Sequence, residues 1–311
     1  MTQQPIRTAA VVVTFNRREL LLQCLDALVS QTLPPTTIIV VDNASTDGSE
    51  EAIGAYCTKY PRKFVYLRLE QNIGGAGGFA IGVSKAMELD CDWLWLMDDD
   101  AIPLPDALAS LHRASPTPEN VYASIACRGN ELSWSVNLIA APGELQAADR
   151  VDELPSIAEV AFLPFLGFLV HSNLVAAIGV PDSEYFISAD DVEYSLRARA
   201  AGARLFLVKA SRIGHPIARV EYRNILGHRL AYLSLPPWRR YYDTRNRLLV
   251  ARTHYGIRFW TEAVPGTFAR LFLALWLEAD RWIQAKAIMA GCLDGICGTR
   301  GIRHRYWRLD R

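Results

Sequence analysis

Three consecutive carboxylates, Asp98-Asp99-Asp100, follow directly on the apolar run Trp93–Met97 (WLWLM). Adjacent like charges repel one another, and carboxylates beside a low-dielectric core lose hydration. A bound divalent cation relieves both penalties. Mg2+ and Mn2+ prefer oxygen ligands, and Mg2+ is commonly held by one or two carboxylates together with substrate phosphates. The Asp98-x-Asp100 spacing lets one carboxylate reach the metal and another reach a ribose hydroxyl or a water, with Asp99 available to the same ligand. A solvated acidic turn ahead of a helix near Pro105 is the alternative. His215, in Gly214-His215-Pro216, is a candidate third ligand, although a lone histidine also serves as an ordinary core or surface residue.

A second pair of carboxylates, Asp190 and Asp191, stands at a helix start. Ser188-Ala189-Asp190-Asp191 has the form of a capping box, and acids in a first turn favour the helix dipole. Equally, one of the two can serve as a general base toward a hydroxyl within hydrogen-bond reach. The residue pattern leaves both readings open. Asp42 is suited to a nucleotide base or ribose, but Asn43-Ala44-Ser45-Thr46-Asp47-Gly48 after it is also plain turn chemistry. Asn72-Ile73-Gly74-Gly75-Ala76-Gly77-Gly78 opens a helix, where glycines admit close backbone approach and a helix N-terminus attracts anions. Tight packing of helix on strand explains those glycines as well. Arg239–Arg247 (RRYYDTRNR) is either a diphosphate or acceptor contact or a solvated basic face.

These residues need a frame that brings them together. Four short apolar runs, Ala9–Phe15, Ile38–Val41, Phe64–Leu69 and Trp93–Met97, alternate with helical patterns at Arg18–Ser30, Ser49–Tyr60 and Phe79–Leu89. Such alternation predicts βαβ units and a mostly parallel sheet flanked by helices, an α/β fold. Parallel sheets bind ligands beyond the carboxyl ends of their strands. Thr14-Phe15-Asn16, Asp42-Asn43, Asn72–Gly75 and Asp98–Asp100 all fall at such ends. Residues 114–160 read as irregular with room for extra strands. Strands are expected at Phe162–Val170 and Arg204–Val208, and helices at Asn173–Ile178 and Asp191–Ala201. From about Pro236 the chain reads as helical. The expected division is a main α/β domain over 1–235, its first half ending near 110 and its second covering 111–235, with a basic helical extension over 236–311.

Residues 1–196 carry 11 basic and 26 acidic side chains, and residues 197–311 carry 22 and 7. The acidic part suits a cation, the basic part suits phosphates or an anionic membrane surface, and the two also attract each other. Six cysteines without a C-x-x-C pair suggest reduced thiols and a cytoplasmic protein. The polar N-terminus does not resemble a signal peptide, and no apolar run reaches the ~18 residues that a membrane span needs. Phe268–Met289 is too charged to span; it fits a membrane interface, or packing on this chain or on another subunit. Nothing matches a nucleic-acid-binding module.

Taken jointly, VVVTFNR (11–17), IIVVDNASTDGS (38–49), NIGGAGGF (72–79), WLWLMDDDAIP (93–103) and IGVPDSEYFISADDVEYSLRARAAG (178–202) resemble glycosyltransferase family 2 with its GT-A fold. Within it, NIGGAGGFAIG, the triple aspartate, GVPD…YFISADDVEYSLR, His215-Pro216 and YYDTRNR are most similar to bacterial galactofuranosyltransferases. The resemblance covers about residues 6–250. It implies that Thr14, Arg17 and Asp42, with Asn16, Asn72, Gly74, Gly75 and Asp99 beside them, hold the nucleotide. It implies that Asp98, Asp100 and His215 hold Mn2+ or Mg2+, that Asp191 is the base, and that Asp190 orients sugar or acceptor. The implied reaction is an inverting transfer of galactofuranose from a uridine diphosphate donor to a lipid-linked or polysaccharide acceptor in cell-envelope or O-antigen synthesis. Rhamnose transfer from a deoxythymidine diphosphate donor is the close alternative, since rhamnosyltransferases share most of these motifs. A sugar nucleotidyltransferase would carry its glycine-rich loop directly after the first strand, where this chain has Thr14-Phe15-Asn16-Arg17. A non-catalytic membrane scaffold would be expected to lack Asp98, Asp100 or Asp191.

Overall fold

The computed structural model describes residues 6–141, 144–217, 221–225, 228–232, 234–278 and 280–309. The chain forms two compact units, one of residues 1–182 with 194–217 and one of residues 183–193 with 218–311.

In the first unit, strands β1 (Thr8–Thr14), β2 (Thr37–Asp42), β3 (Phe64–Arg68) and β4 (Trp93–Asp98) lie parallel in the order β3-β2-β1-β4. The sheet continues through β10 (Leu166–His171), antiparallel to its neighbours, then β6 (Val121–Arg128), β11 (Leu205–Gly214) and the short β5 (Ile102–Pro103). Every residue of β1 is buried. A strand covered on both faces is apolar throughout, which is why AAVVV and WLWLM show no alternation. Successive side chains nevertheless serve different layers. Ala9, Val11 and Val13 pack with Phe79, Val83 and Ala86 of α3 (Gly74–Glu88). Ala10 and Val12 pack with Leu21, Leu25 and Leu28 of α1 (Arg18–Val29) and with Leu108 and Leu111 of α4 (Ala107–Arg113). Helix α2 (Ser49–Lys59) joins β2 to β3.

The expected strands and helices of the first hundred residues are all present. Beyond them the sequence reading is coarser than the structure. The segment 114–160 holds β6 and a long hairpin, β7 (Glu131–Ala141) with β8 (Glu144–Arg150), followed by β9 (Ile157–Glu159). The apolar run that begins at Phe162 enters the sheet only at Leu166. Helix α5 (Ser172–Ile178) follows it, and β11 runs on to Gly214, which places His215 at its carboxyl end.

The second unit contains the hairpin β12 (Glu221–Ile225) and β13 (His228–Tyr232) and helices α7 (Pro237–His254), α8 (Val264–Leu277) and α9 (Arg281–Cys297). Glycines at 291 and 295 let α9 approach the backbone of α7; a Cβ at 291 would stand 2.6 Å from the Tyr241 carbonyl oxygen. Phe186, Tyr241, Tyr242, Ala287, Ala290 and Leu309 form one apolar cluster of this unit, and Leu248, Ala251, Phe259 and Cys292 form another. The sequence reading divides the chain at 235; the compact units meet at 217/218, with 183–193 in the second unit. The reason is chemical: α7 side chains take up the backbone carbonyls of 184–188. Among the described residues no helix is long and apolar enough to cross a membrane.

Candidate active site

In the first unit the carboxyl ends of β1, β2, β4 and β11 carry eight of the expected site residues: Thr14, Asn16, Arg17, Asp42, Asp98, Asp99, Asp100 and His215. Parallel register sets Thr14 opposite Asp42 and Val13 opposite Asp98. Thr14 and Asp99 are both buried, and the Thr14 hydroxyl donates to Asp99 Oδ2 at 2.7 Å. Arg17 Nη1 donates to Asp99 Oδ1 at 3.3 Å and to Asp100 Oδ2 at 2.8 Å. One guanidinium thus spans two of the three adjacent carboxylates, which answers their mutual repulsion. Thr14 and Arg17, expected on the nucleotide, bond here to Asp99 and Asp100.

The other oxygen of Asp100 faces His215, with Oδ1 3.5 Å from Nε2. Burial works against the Asp100 charge, but His215 and Arg17 outweigh it and hold the carboxyl below the usual aspartate range. For Asp99 burial wins over the Thr14 hydrogen bond and the Arg17 charge, and its carboxyl is pushed up. Asp100 Oδ1 and His215 Nδ1 are buried with no hydrogen-bond partner. Asp100 Oδ1 and His215 Nε2, 3.5 Å apart, are a carboxylate oxygen and an imidazole nitrogen of the kind a divalent cation accepts. Among the described residues, however, no three His, Cys, Asp or Glu side chains gather closely enough to form a cation cage. Of the expected set Asp98, Asp100 and His215, Asp100 and His215 face each other at 3.5 Å, and Arg17 takes the other oxygen of Asp100. Asp98 is half-buried at the end of β4. Trp134 on β7, which the sequence reading did not single out, packs edge-on against His215 with ring centres 5.9 Å apart. Eighty-one residues separate the two in the chain, so no local pattern signals the contact.

The turn after β2 forms a separate network. Asp42 is enclosed, and its oxygens accept from the Ser45 amide and the Tyr66 hydroxyl, both at 2.8 Å. Asn16 adopts a left-handed φ of 51°. Its amide donates to Ser45 Oγ and its side-chain oxygen accepts from the Thr46 amide, which ties the β1 loop to the β2 loop. Asn43 Oδ1 accepts from the Ile73 amide and Asn72 Oδ1 from the Gly74 amide, which together shape the first turn of α3.

The glycines of that turn divide by role. A Cβ at position 78 would stand 2.5 Å from Val13 Cγ1, so Gly78 is required for α3 to lie on β1. Gly75 has nothing within 4 Å of its Cβ position and is open to a ligand.

Asp190 and Asp191 begin α6 (Asp190–Ala200) and belong, with Glu193, to the second unit. The Val192 amide donates to Asp191 Oδ1 at 2.7 Å. Burial drives both carboxyls well above the ordinary aspartate range, and in Asp190 the neighbouring Asp191 charge adds to it. A capping box would hold its acid ionised at the helix start. A carboxyl that resists ionisation instead suits proton transfer near neutral pH. Arg245 and Asn246 of the RRYYDTRNR segment, read as ligand contacts or a solvated face, are both fully enclosed.

Residues 9–148 match the family model described as "Glycosyl transferase family 2". The chain is 35% identical over 255 residues to "Galactofuranosyltransferase GlfT1" of Mycolicibacterium smegmatis, an alignment spanning 76% of this chain and 80% of that protein. The chain belongs to glycosyltransferase family 2. As a member it is a glycosyltransferase with an α/β fold of the GT-A type. In fold it is similar to GalNAc-T7 with UDP, GalNAc and Mn2+, at a TM-score of 0.60 and 16% identity over 80% of this chain and 48% of that one. It is also similar to the mannosyltransferase PcManGT of Pyrobaculum calidifontis in complex with GDP-Man and Mn2+, at a TM-score of 0.56 and 13% identity over 94% and 88% of the two chains.

Proposed function

We propose that this glycosyltransferase moves galactofuranose from UDP-galactofuranose to a hydroxyl of a lipid-linked or polysaccharide acceptor in cell-envelope synthesis, with inversion at the anomeric carbon. The observation that carries the donor assignment is the 35% identity to GlfT1 over 76% of this chain and 80% of that protein. A deoxythymidine diphosphate rhamnose donor is the second reading, favoured by the motifs that rhamnosyltransferases share.

Asp191 accepts the proton of the acceptor hydroxyl as its oxygen bonds to the anomeric carbon. The bond from that carbon to the diphosphate breaks, and its electron pair leaves with the nucleoside diphosphate. No second carboxylate acts as a nucleophile, so the displacement is single and inverting. Asp190 orients sugar or acceptor. Gly74 and Gly75, at the open first turn of α3, together with Asn16, Asp42 and Asn72, shape the nucleotide end. Asp100 and His215, with Asp98, would hold Mn2+ or Mg2+, which supplies positive charge to the departing diphosphate. Arg17 and Thr14 keep Asp99 and Asp100 in place for that role.

Peripheral attachment to the inner face of the membrane goes with a lipid-linked acceptor. Phe268, Phe272 and Trp276 recur every fourth residue on α8 and are exposed, as is Trp282 with Arg281 over its ring. Aromatic side chains beside arginines suit the head-group region. The base assignment is tested with Asp191→Asn: transfer should be lost while nucleotide affinity is kept. Transfer by this variant would refute the assignment.

A further inference from the structure

Arg245 and Asn246 take no part in the chemistry above, yet a guanidinium and an amide are completely enclosed on α7. Their partners explain the burial. Asn246 Nδ2 lies 2.7 Å from the Ser188 carbonyl oxygen, 2.8 Å from that of Ile187 and 3.0 Å from that of Tyr185. Arg245 Nη2 reaches the carbonyl oxygens of Glu184 and Tyr185 at 3.2 and 3.0 Å. Arg245 Nε donates to Asn246 Oδ1 at 2.8 Å, which fixes the amide with its NH2 toward the loop. The remaining Arg245 arm, Nη1, donates to the Gly301 carbonyl, and the Gly301 amide donates to the Glu184 carbonyl at 2.9 Å. The C-terminal segment is thereby tied to the same loop. Tyr241 and Tyr242 flank the guanidinium at 5.5 and 4.7 Å.

The loop that receives these bonds is strained. Phe186, Ser188 and Ala189 have φ of 65°, 71° and 60°, left-handed values that side-chain-bearing residues rarely adopt. Such a path persists only where its surroundings enforce it, and it recurs next to functional groups. Here it turns four carbonyl oxygens toward one amide and one guanidinium. It ends at Ala189, whose carbonyl accepts from the Glu193 amide in the first turn of α6. The two residues between them are Asp190 and Asp191.

We propose that Arg245 and Asn246 are positioning residues for the acceptor base: they clamp 184–188 in its left-handed path and so fix where α6 begins and where the Asp191 carboxylate stands. This rests on the reading of Asp191 as the base. Neither residue touches substrate.

The test is steady-state kinetics on the full chain with UDP-galactofuranose, comparing Asn246→Ala with the triple variant Asn246→Ala/Ser188→Gly/Ala189→Gly. Displacing a catalytic group by about 1 Å can cost ~10²-fold in rate, so Asn246→Ala should lower kcat by at least about tenfold with donor KM unchanged. Glycine holds a left-handed φ without a clamp, so the two glycines should restore about threefold or more of the loss. A buried strut with no bearing on the base would lower thermal stability and gain nothing in kcat from the glycines, and that result overturns the proposal. So does a kcat within about twofold of the parent. If Asn246→Ala does not fold, Arg245→Lys, which keeps the charge and loses the fork, is read against the same criteria. Asp191→Asn is run beside them. Activity in that variant removes the base assignment, whereas its inactivity together with a fully active Asn246→Ala removes only the clamp.

Discussion

Replacing Thr14 by valine isolates one hydrogen bond beneath the acidic triplet. Valine has the shape of threonine, so the substitution opens no cavity in the buried end of β1. What disappears is the 2.7 Å donation to Asp99 Oδ2, between a hydroxyl and a carboxylate that are both buried. The surviving partner of Asp99 is Arg17 at 3.3 Å. A hydrogen bond to a charged group contributes about 1.5–3 kcal/mol, against about 1 kcal/mol for a neutral pair. The loss must therefore depend on pH. Burial already raises the Asp99 carboxyl, and removal of the donor raises it further. A carboxyl whose folded value exceeds its unfolded value lowers stability at high pH, and this penalty disappears as the pH falls through the folded value. Thr14→Val should cost about 2 kcal/mol at pH 8, where Asp99 is ionised, and about 1 kcal/mol once Asp99 is protonated. For a unit of this size the first figure corresponds to a fall of about 4–8 °C in thermal midpoint. Differential scanning calorimetry as a series from pH 8 downward through the acid range measures both. A shift of under about 1 °C at pH 8, or one of equal size at every pH, would show that Thr14 does not carry Asp99.

The glycines of α3 should separate in a melting experiment: Gly78→Ala overpacks Val13 and should cost about 1–3 kcal/mol, while Gly75→Ala should leave stability unchanged and weaken UDP binding by calorimetry. Because burial raises the Asp191 carboxyl, and only its ionised form accepts a proton, kcat should fall on the acid side at a pH above the ordinary aspartate value of about 3.9. A rate unchanged down to that value would contradict the enclosed base. Phe272→Ser and Trp282→Ser change side chains that are 66% and 74% exposed, so they should reduce binding to anionic liposomes in a sedimentation assay without lowering the thermal midpoint. Point variants are the right tool here, since removing residues 262–311 would also remove Gly291, Gly295 and Gly301, on which α7 and the 184–188 loop depend.

The sheet was legible because both of its signals are local. Apolar runs such as AAVVV and WLWLM identify buried parallel strands, and the polar residues that end them mark one edge. Hence Thr14, Asp42, Asp99 and Asp100 could be expected along one edge before any coordinates, whereas Arg17 and the assignment of His215 were added by the family resemblance. Their partners could not. A sequence shows that Arg17 is basic and Asp100 acidic, but not that the guanidinium covers Asp99 and Asp100 and leaves Asp100 Oδ1 to His215. Gly75 and Gly78 look alike in sequence and differ only in what a Cβ would strike. The RRYYDTRNR segment misled for a related reason. Charge at helical spacing normally indicates a solvated face, yet Arg245 and Asn246 are buried because a loop sixty residues earlier supplies their acceptors. The left-handed backbone of Phe186, Ser188 and Ala189, which creates that need, leaves no trace in residue type.

The most direct test of the proposed function is donor selection. The purified protein with Mn2+ and a galactan-type acceptor is offered UDP-galactofuranose, UDP-galactopyranose, UDP-glucose and deoxythymidine diphosphate rhamnose, and product is followed by NMR. Transfer from UDP-galactofuranose alone, giving a β-linked product from the α-linked donor, is the expected result. Transfer from the rhamnose donor instead, or an α-linked galactofuranoside, would contradict it.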